Sequence, residues 1–370
     1  MKIKNIIMIC VFALIFAVVS IACYLKPDAE FSMGERRELA QKPDATAETI
    51  FSGEFSENFE LYSADQFPFR DAFRTVKALF TTKVLNKADN NGIYMKEGHI
   101  SKLEYPENRP MMEYGAKRFR MIYDKFLKEN GAKVYLSIIP DKNYFLAEKH
   151  GYPSIDYEKF IEYFKNEMDY AEYINIVPYL EIDDYYKTDS HWKQEKITGI
   201  ARYIAEKMGA EGTQIKYKVR TLNKPFYGVY AGQSALPCDA DEMKYLTNET
   251  LEKAVVKYYD TGLPKEGEMY DMKKADGKDP YEMFLSGSMP IVTVENEENE
   301  EKEDGKELII FRDSFGSSIS PLLSLKYRKT TVIDIRYVQS DFLGNLVDFS
   351  NKDVLFLYST TMLNNSNVLR

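Results

Sequence analysis

The sequence predicts an α/β protein with a doubly wound, mostly parallel sheet, preceded by an N-terminal transmembrane helix and a helical lead-in. Short apolar runs of β-forming residues alternate with segments of helical length, which is the pattern of parallel strands joined by crossover helices. A long uncharged run opens the chain. The length of 370 residues and the 44% hydrophobic content suit one large domain or two smaller ones.

The N-terminal residues 1–25 are predicted to form a short cytoplasmic tip and a membrane-spanning signal anchor. The run Ile6–Leu25 is about as long as a helix that crosses a bilayer. Lys2 and Lys4 precede it and favour a cytoplasmic N-terminus, which places the remaining chain outside the cytoplasm. An uncleaved anchor is favoured over a cleaved signal peptide, because the run is longer than a usual signal core and no small-x-small site ends it.

Residues 26–90 are predicted to form a helical lead-in. Phe55, Phe59 and Tyr62 follow the i, i+4, i+7 spacing of an amphipathic helix. Pro68 ends this pattern, and a second helix is expected from Ala72 to Phe80.

Residues 91–370 are predicted to form the main α/β domain. A turn at residues 90–92 precedes a short hairpin, and a helix is expected over residues 109–130, with Gly131 as its cap. Two more helices are expected over residues 157–170 and 193–208. The five expected strands are residues 134–140, 173–180, 308–311, 330–337 and 353–359.

Composition excludes several classes of function. The net charge of -9 disfavours nucleic acid as a partner, because a phosphate-binding surface needs a basic field. Three scattered His and three Cys offer no metal-ligand spacing, so neither a metal nor another cofactor is expected. The acidic run of residues 295–307 is expected to be a solvated loop. The 28 Tyr and 22 Phe fit core packing or stacking on sugar rings.

Ser314 lies where an apolar strand gives way to the small residues of "DSFGSS". In open α/β sheets, reactive groups gather beyond the carboxyl ends of the strands. A serine there can act as a nucleophile beside backbone N–H groups that stabilise an oxyanion. Alternatively, the Ser314 hydroxyl caps the following helix.

The segment "YYKTDSHWKQ" contains a second group of candidates. A serine hydroxyl needs a base to take its proton, and the base needs a carboxylate to orient it. Asp189 and His191 are two residues apart, so in an extended or turn conformation the carboxylate can reach the imidazole. Trp192 would pack beneath them and exclude water. The alternative is that Asp189 caps a helix with His191 and Trp192 in its first turn. His99 and His150 are expected at the surface.

Two basic residues also follow predicted strands. Arg336 comes after the fourth strand and Lys142 after the first. Each is a candidate to bind a hydroxyl or carboxylate of a substrate, and each fits a structural ion pair equally well.

Together these segments resemble the DHHW family, a branch of the SGNH hydrolase-like superfamily related to the periplasmic alginate O-acetyltransferases. The resemblance covers most of the chain. Its motifs are "DSHW", "FRDSF", "FSMGERRELAQKP", "FSGEFSENFELYSADQFPFRD", "NNGIYMKEGHIS", "SIIPDKNYF", "FYGVYAGQSA" and "VIDIRY". Two positions depart from the pattern. Ser190 stands where the family often has His, and Arg312 stands where the superfamily has Gly.

The resemblance implies the SGNH hydrolase-like fold and a Ser-His-Asp site. Ser314 would be the nucleophile, His191 the general acid/base and Asp189 its orienter. The Ser314 amide would be one oxyanion donor, and Gly232, in the loop from Gly228 to Gln233, is the candidate for the second. Arg336, Lys142 and Trp192 are the candidates for substrate binding.

The implied activity is extracytoplasmic O-acetyl transfer to a cell-surface or secreted polysaccharide through an acetyl-serine intermediate. The resemblance also implies a partner, a membrane-bound O-acyltransferase that supplies the acetyl group. If water attacks the acyl-enzyme, the same site is a carbohydrate acetylesterase. A third alternative is a non-catalytic surface protein that binds glycan or a membrane partner.

Overall fold

The computed structural model describes residues 2–210, 215–260, 263–296 and 305–370. The chain divides into two compact units, of which the first comprises Met1–Asn91 with Ala231–Cys238, and the second comprises Gly92–Tyr230 with Asp239–Arg370. Most of the predicted acidic loop, residues 297–304, lies outside the described residues.

The first unit is largely helical. Its elements are α1 (Lys2–Leu25), β1 (Phe31–Ser32), β2 (Arg37–Glu38), α2 (Ala47–Ser52), α3 (Glu54–Asp65) and α4 (Arg70–Leu79), which continues as a π-helical turn, Phe80–Val84. The two helices expected in the lead-in are therefore present. Within α1, Ile3–Leu25 is long and apolar enough to cross a membrane and is not buried against the protein, which fits a membrane anchor or a signal sequence.

The second unit contains an α/β sheet with its covering helices. Its elements are β3 (Ile93–Lys96), β4 (His99–Lys102), α5 (Arg109–Ile122), β5 (Lys133–Ile139), α6 (Lys142–His150), α7 (Tyr157–Glu167), β6 (Glu172–Tyr173), α8 (Thr198–Lys207), β7 (Lys218–Phe226), α9 (Val229–Ser234, which runs on into the first unit), β8 (Asp241–Thr247), α10 (Glu249–Lys253), β9 (Val255–Tyr259), β10 (Lys265–Gly267), α11 (Met272–Ala275), β11 (Ile291–Glu295), β12 (Glu307–Arg312), α12 (Phe315–Ser324), β13 (Lys329–Ile333), β14 (Asp353–Ser359) and α13 (Thr360–Asn364).

The main sheet has eight strands in the order β10-β9-β11-β13-β12-β14-β5-β6. The five strands from β13 to β6 are parallel, and β11, β9 and β10 extend the sheet antiparallel at the other edge. The central strand β12 pairs on both sides, with β13 and with β14. This mixed, parallel-rich sheet confirms the predicted fold class.

Both faces of the sheet are buried, as a doubly wound arrangement requires. Along β12, Ile310 packs into the apolar cluster that includes α8 and α12, whereas Ile309 and Phe311 pack into the cluster that includes α5 and α7. Successive side chains of a strand point to opposite faces, so one short apolar run anchors two layers of helices.

Several expected elements differ from the structure. The fourth strand ends at Ile333 rather than at residue 337, and the helix expected over residues 109–130 is α-helical only to Ile122. Of the second expected strand, residues 173–180, only Tyr173 pairs in the sheet, together with the preceding Glu172, and a 3-10 turn follows at Val177–Tyr179. Pro178 has no N–H for a sheet ladder, and the Asn175 side chain accepts a hydrogen bond from the Val177 N–H instead. The helix expected from residue 193 begins only at Thr198, after a separate 3-10 turn at residues 194–196.

Candidate active site

Ser314 lies at the carboxyl end of β12, immediately before α12. The Asp313 carboxylate accepts the Phe315 N–H at 3.0 Å and also binds the backbone N–H and hydroxyl of Ser359 at 2.8 and 2.6 Å. The Asp313 carboxylate therefore accepts a hydrogen bond from the first turn of the helix, and the Ser314 side chain makes no capping hydrogen bond. The capping alternative for the Ser314 hydroxyl is wrong, and that hydroxyl is available for another partner.

That partner is His191. The distance from Ser314 Oγ to His191 Nε2 is 2.7 Å, and the other ring nitrogen, Nδ1, lies 2.6 Å from Asp189 Oδ1. Ser314 and His191 are 123 residues apart in the chain. The structure thus joins the three side chains in a continuous hydrogen-bonded row, carboxylate to imidazole to hydroxyl.

The Asp189 carboxylate is fully buried and held by backbone donors. Oδ1 accepts the His191 N–H at 3.1 Å, and Oδ2 accepts the Val229 N–H at 2.9 Å. Asp189 is not the cap of an α-helix, so that alternative is wrong. Because two backbone N–H groups fix the position of the carboxylate, the carboxylate determines the orientation of the imidazole.

Gly228 lets the chain pass this close to Asp189. A Cβ at Gly228 would overlap the Asp189 backbone and Cβ. The Gly228 N–H donates to Thr188 Oγ1 at 2.9 Å, and Thr188 in turn donates its N–H and hydroxyl to Asp241. Glycine is required at position 228 by close approach of two backbones, not by a left-handed conformation.

Two aromatic rings fix the plane of the imidazole. Tyr281 stacks on His191 with ring centroids 3.9 Å apart and an interplanar angle of 9°, and Phe315 lies 4.9 Å away at 54°. The Tyr281 hydroxyl donates to Ser318 Oγ at 2.8 Å. Tyr281 is not predicted from the sequence, because it lies in a separate segment and nothing distinguishes it locally from the other tyrosines.

Trp192 lies beneath the site and is fully buried. Its Nε1–H is within hydrogen-bond distance of Phe315 O (3.1 Å) and Ser318 Oγ (3.0 Å), and its ring packs edge-on against Phe315. The expectation that it packs below the site is confirmed, and its exclusion of water there stays a prediction. Its assignment to substrate binding is wrong, because the indole has no exposed surface to offer a ligand.

Lys142 also differs from its predicted role. The side chain is 1% exposed, and its ammonium donates to the carbonyl oxygens of Tyr186 at 2.9 Å and Lys187 at 3.1 Å. Burial lowers the pKa of Lys142 to about 7, although Asp189 and Asp241 favour the charged form. Lys142 therefore holds the segment that leads into Asp189, and the prediction that it binds substrate is wrong.

Arg336 forms the ion pair that was its alternative role. Its Nε and Nη2 donate to the Asp334 carboxylate at 2.9 and 2.6 Å, and about 17% of its side chain is exposed. Arg312 binds the same carboxylate at 3.1 Å and the Gly287 carbonyl at 2.9 Å. The substrate-binding role of Arg336 stays a prediction, whereas Arg312 is a fully buried structural cation.

The remaining predicted residues lie elsewhere. Gly232 belongs to the first unit, where it packs against the Gly34 backbone, and its role as the second oxyanion donor stays a prediction. His150 pairs with Glu97 at 3.0 Å. His99, expected at the surface, is buried instead. Among the described residues no cluster of His, Cys, Asp or Glu could hold a metal ion.

Comparisons with known proteins agree with this fold. No family model matches the chain, and no curated protein matches it. Among solved structures, a DHHW family protein from Eubacterium siraeum is similar at a TM-score of 0.58 and 21% identity, covering 76% of this chain and 94% of that one.

Bacillus cereus PatB1, solved with a sulfonyl adduct, is similar at a TM-score of 0.59 and 19% identity. The match covers 73% of this chain and 95% of PatB1. The O-acetyltransferase domain of Pseudomonas putida AlgJ overlaps less well, at a TM-score of 0.44 and 12% identity. The match covers 74% of this chain and 92% of that domain. At these identities the comparisons establish that the chain shares the fold of the DHHW family protein and PatB1.

Proposed function

We propose that this protein is a serine-dependent acyltransferase that acts outside the cytoplasm and moves an acetyl group onto a hydroxyl of a surface polysaccharide. The observation that carries the proposal is the continuous row from Asp189 through His191 to the Ser314 hydroxyl, with contacts of 2.6 and 2.7 Å. The sequence resemblance to the DHHW family supports acetyl as the acyl group and a polysaccharide as the acceptor.

The first half-reaction forms an acetyl-serine. His191 Nε2 accepts the Ser314 hydroxyl proton as Oγ attacks the acetyl carbonyl, and then returns that proton to the leaving oxygen of the donor. The bond from Oγ to the acetyl carbon forms first and gives a tetrahedral intermediate, and the bond from that carbon to the donor oxygen breaks as the intermediate collapses. The Asp189 carboxylate, 2.6 Å from Nδ1, stabilises the imidazolium that exists between the two proton transfers.

The tetrahedral intermediate needs donors for its oxyanion. The Ser314 N–H has no partner among the described residues, and it lies at the N-terminus of α12, where the helix dipole favours negative charge. It is the oxyanion donor that we assign. In the second half-reaction, His191 takes a proton from a sugar hydroxyl, whose oxygen attacks the acetyl-serine. The bond from the acetyl carbon to Ser314 Oγ then breaks, His191 returns the proton to Oγ, and the acetylated sugar is released.

Chemical labelling tests the nucleophile. Full-length protein in detergent is treated with an aryl sulfonyl fluoride, chosen because PatB1 was solved with a sulfonyl adduct, and the modified residue is found by mass spectrometry. We expect modification of Ser314 and none in Ser314→Ala. The control is Ser190→Ala, because Ser190 Oγ lies 3.4 Å from Nδ1 on the other side of the imidazole. Labelling of Ser190, or of neither serine in folded protein, would refute the assignment.

Product analysis separates transfer from hydrolysis. The enzyme is given 4-nitrophenyl acetate with neutral, amino-sugar or uronic-acid oligosaccharides, and both free acetate and acetylated sugar are measured. Acetylated sugar that depends on Ser314 supports the transferase. Release of acetate alone with every acceptor would make the protein an esterase with the same catalytic residues.

A further inference from the structure

The helix α4 presents its apolar side chains outward. Phe69, Phe73, Val76 and Phe80 recur at intervals of three and four residues, so they form one line along the helix and its π-helical end. Their exposed fractions are 78%, 59%, 63% and 51%. In a helix that covers a soluble protein, the apolar line is expected to face the core.

The opposite side of α4 is polar and faces its own unit. Arg70 and Arg74 form ion pairs with Glu35 at 2.6 and 3.3 Å, and Arg74 also donates to the Gly232 carbonyl at 2.8 Å. Ala78, on the same side, is completely buried. The orientation of α4 is therefore fixed by ion pairs and packing, and the outward apolar line is a feature of the folded unit.

The chain that leaves α1 is fixed close to the start of this line. The Lys26 ammonium donates to the Gln66 carbonyl at 3.0 Å, and the Gln66 side chain exchanges two hydrogen bonds of 2.9 Å with the Ala29 backbone. Lys26 directly follows Leu25, the last residue of the apolar helix. Only three residues of chain, at most about 10 Å, separate Gln66 from Phe69.

We infer that α4 is an interfacial helix that inserts its apolar line into the outer surface of the lipid bilayer crossed by α1. If α1 spans the hydrocarbon core, its end at Leu25 lies near the headgroups, and the Lys26–Gln66 contact keeps Phe69 close to that level. A helix with aromatic and aliphatic side chains on one side and cations around them binds in the plane of such a surface.

Charge favours an anionic lipid surface. Lys77 and Lys83, both in the α4 segment, are exposed, although the chain as a whole carries a net charge of -9. Long lysine side chains can lie along apolar surface while their ammonium groups reach the phosphates. The occupant of the apolar line is therefore a phospholipid surface. A membrane protein in its place is the competing outcome that the experiment distinguishes.

The experiment uses the full chain with its three native cysteines replaced by Ala and one new cysteine added. Phe73→Cys and Val76→Cys report the apolar line. Asp71→Cys is the matched control, because Asp71 is exposed on the same helix but off that line. Each variant is labelled with the fluorophore NBD and reconstituted into vesicles of phosphatidylcholine and phosphatidylglycerol, with or without lipids that carry a shallow doxyl quencher.

We expect a blue-shifted emission and doxyl quenching at positions 73 and 76, and neither at position 71. Alkaline extraction of the same vesicles tests separately whether α1 anchors the chain. Equal, water-like emission at all three positions would overturn the inference even if α1 is embedded. It would also be overturned if positions 73 and 76 were water-exposed in these vesicles but shielded in native membranes, because a protein partner would then cover the line.

Discussion

The second unit contains two buried histidines, each beside an aspartate, and only one of them also contacts a serine hydroxyl. His191 lies 2.6 Å from Asp189, whose side chain is fully buried and fixed by two backbone N–H groups. His99 lies 3.3 Å from Asp183, whose side chain is 78% exposed. Burial beside a carboxylate is therefore common to both histidines and does not by itself explain why we propose His191 as the base. The carboxylate must itself be fixed, and the second ring nitrogen must face a reactive group.

The environments of the two rings differ as well. His191 stacks on Tyr281 and binds the Ser314 hydroxyl. The Nδ1 atom of His99 is buried without a hydrogen-bond partner among the described residues, and burial, together with the charge of Lys142, lowers the pKa of His99 to about 4. His99 is therefore neutral at physiological pH, and its role is structural.

Replacement of the two histidines gives the largest contrast. We expect His191→Ala to lower kcat/KM for 4-nitrophenyl acetate by about 10³-fold or more, because no base remains for the Ser314 proton. We expect His99→Ala to keep the activity of the folded protein while lowering its stability by about 1–3 kcal/mol through loss of buried packing. Equal losses of activity at the same folded fraction would show that the hydrogen-bonded row is not the active site.

Replacement of the two aspartates sharpens the comparison. We expect Asp189→Asn to lower kcat by roughly 10²–10⁴-fold, because the neutral amide neither stabilises the imidazolium nor enforces its tautomer. Asp183→Asn removes a carboxylate that is mostly in solvent, and we expect kcat to stay within about twofold. The measurement is steady-state kinetics of both variants at one pH. A large loss of kcat in Asp183→Asn would mean that the solvent exposure of the aspartate does not distinguish the His99–Asp183 pair from the His191–Asp189 pair.

Gly228 tests whether the fixed position of Asp189 matters. In Gly228→Ala the new methyl group overlaps Asp189, so we expect a displaced carboxylate, a lower Tm and a kcat reduced by about 10-fold or more. The matched control is Gly199→Ala in α8, where the methyl group would meet no atom within 4 Å. We expect that change to raise stability by about 0.5–1 kcal/mol. A fully active Gly228→Ala variant would show that kcat does not depend on the close contact between Gly228 and Asp189.

The sequence was sufficient to predict the parts of the fold that have strong local signals. The apolar runs that became β5, β12, β13 and β14 bury both faces, so composition alone marks them. The antiparallel strands β9, β10 and β11 were missed. Val255–Tyr259 alternates regularly between half-buried and buried positions, but its residue types, VVKYY, show no matching alternation of polar and apolar. Its place in the sheet depends on pairing with β11 and β10.

The candidate site was predictable to a similar extent. Ser314, His191 and Asp189 stand out because a strand end and a DxH spacing are local features. Tyr281, Gly228 and the buried position of Lys142 depend on contacts between distant segments, which no local pattern encodes. The error for Lys142 has the same origin. A lysine after a strand is typical of a ligand-binding residue, but the ammonium group of Lys142 donates its hydrogen bonds to the carbonyl oxygens of Tyr186 and Lys187.

A further expected effect concerns stability against pH, and it comes from His99. Its pKa is about 4 in the folded protein and about 6.5 when exposed, so the unfolded chain binds a proton first as the pH falls. His99 therefore leaves stability unchanged above pH 6.5 and lowers it between pH 6.5 and 4, by at most about 1.4 kcal/mol per pH unit. The charged groups that act on this ring are Asp183, which favours protonation, and Lys142 and Lys193, which oppose it.

Urea unfolding at several pH values between 4 and 7 measures this term as the difference between the wild type and His99→Gln, which cannot titrate. We expect the two curves of unfolding free energy to run parallel above pH 6.5 and to converge below it, because only the wild type loses this stabilisation. The contributions of carboxylates to the pH dependence are common to both proteins, so they cancel in the difference between the two unfolding free energies. Curves that stay parallel down to pH 4 would mean that His99 is protonated in the folded state. Its Asp183 partner would then resemble Asp189 more closely than its exposure indicates, and the distinction between the two pairs would rest on Ser314 alone.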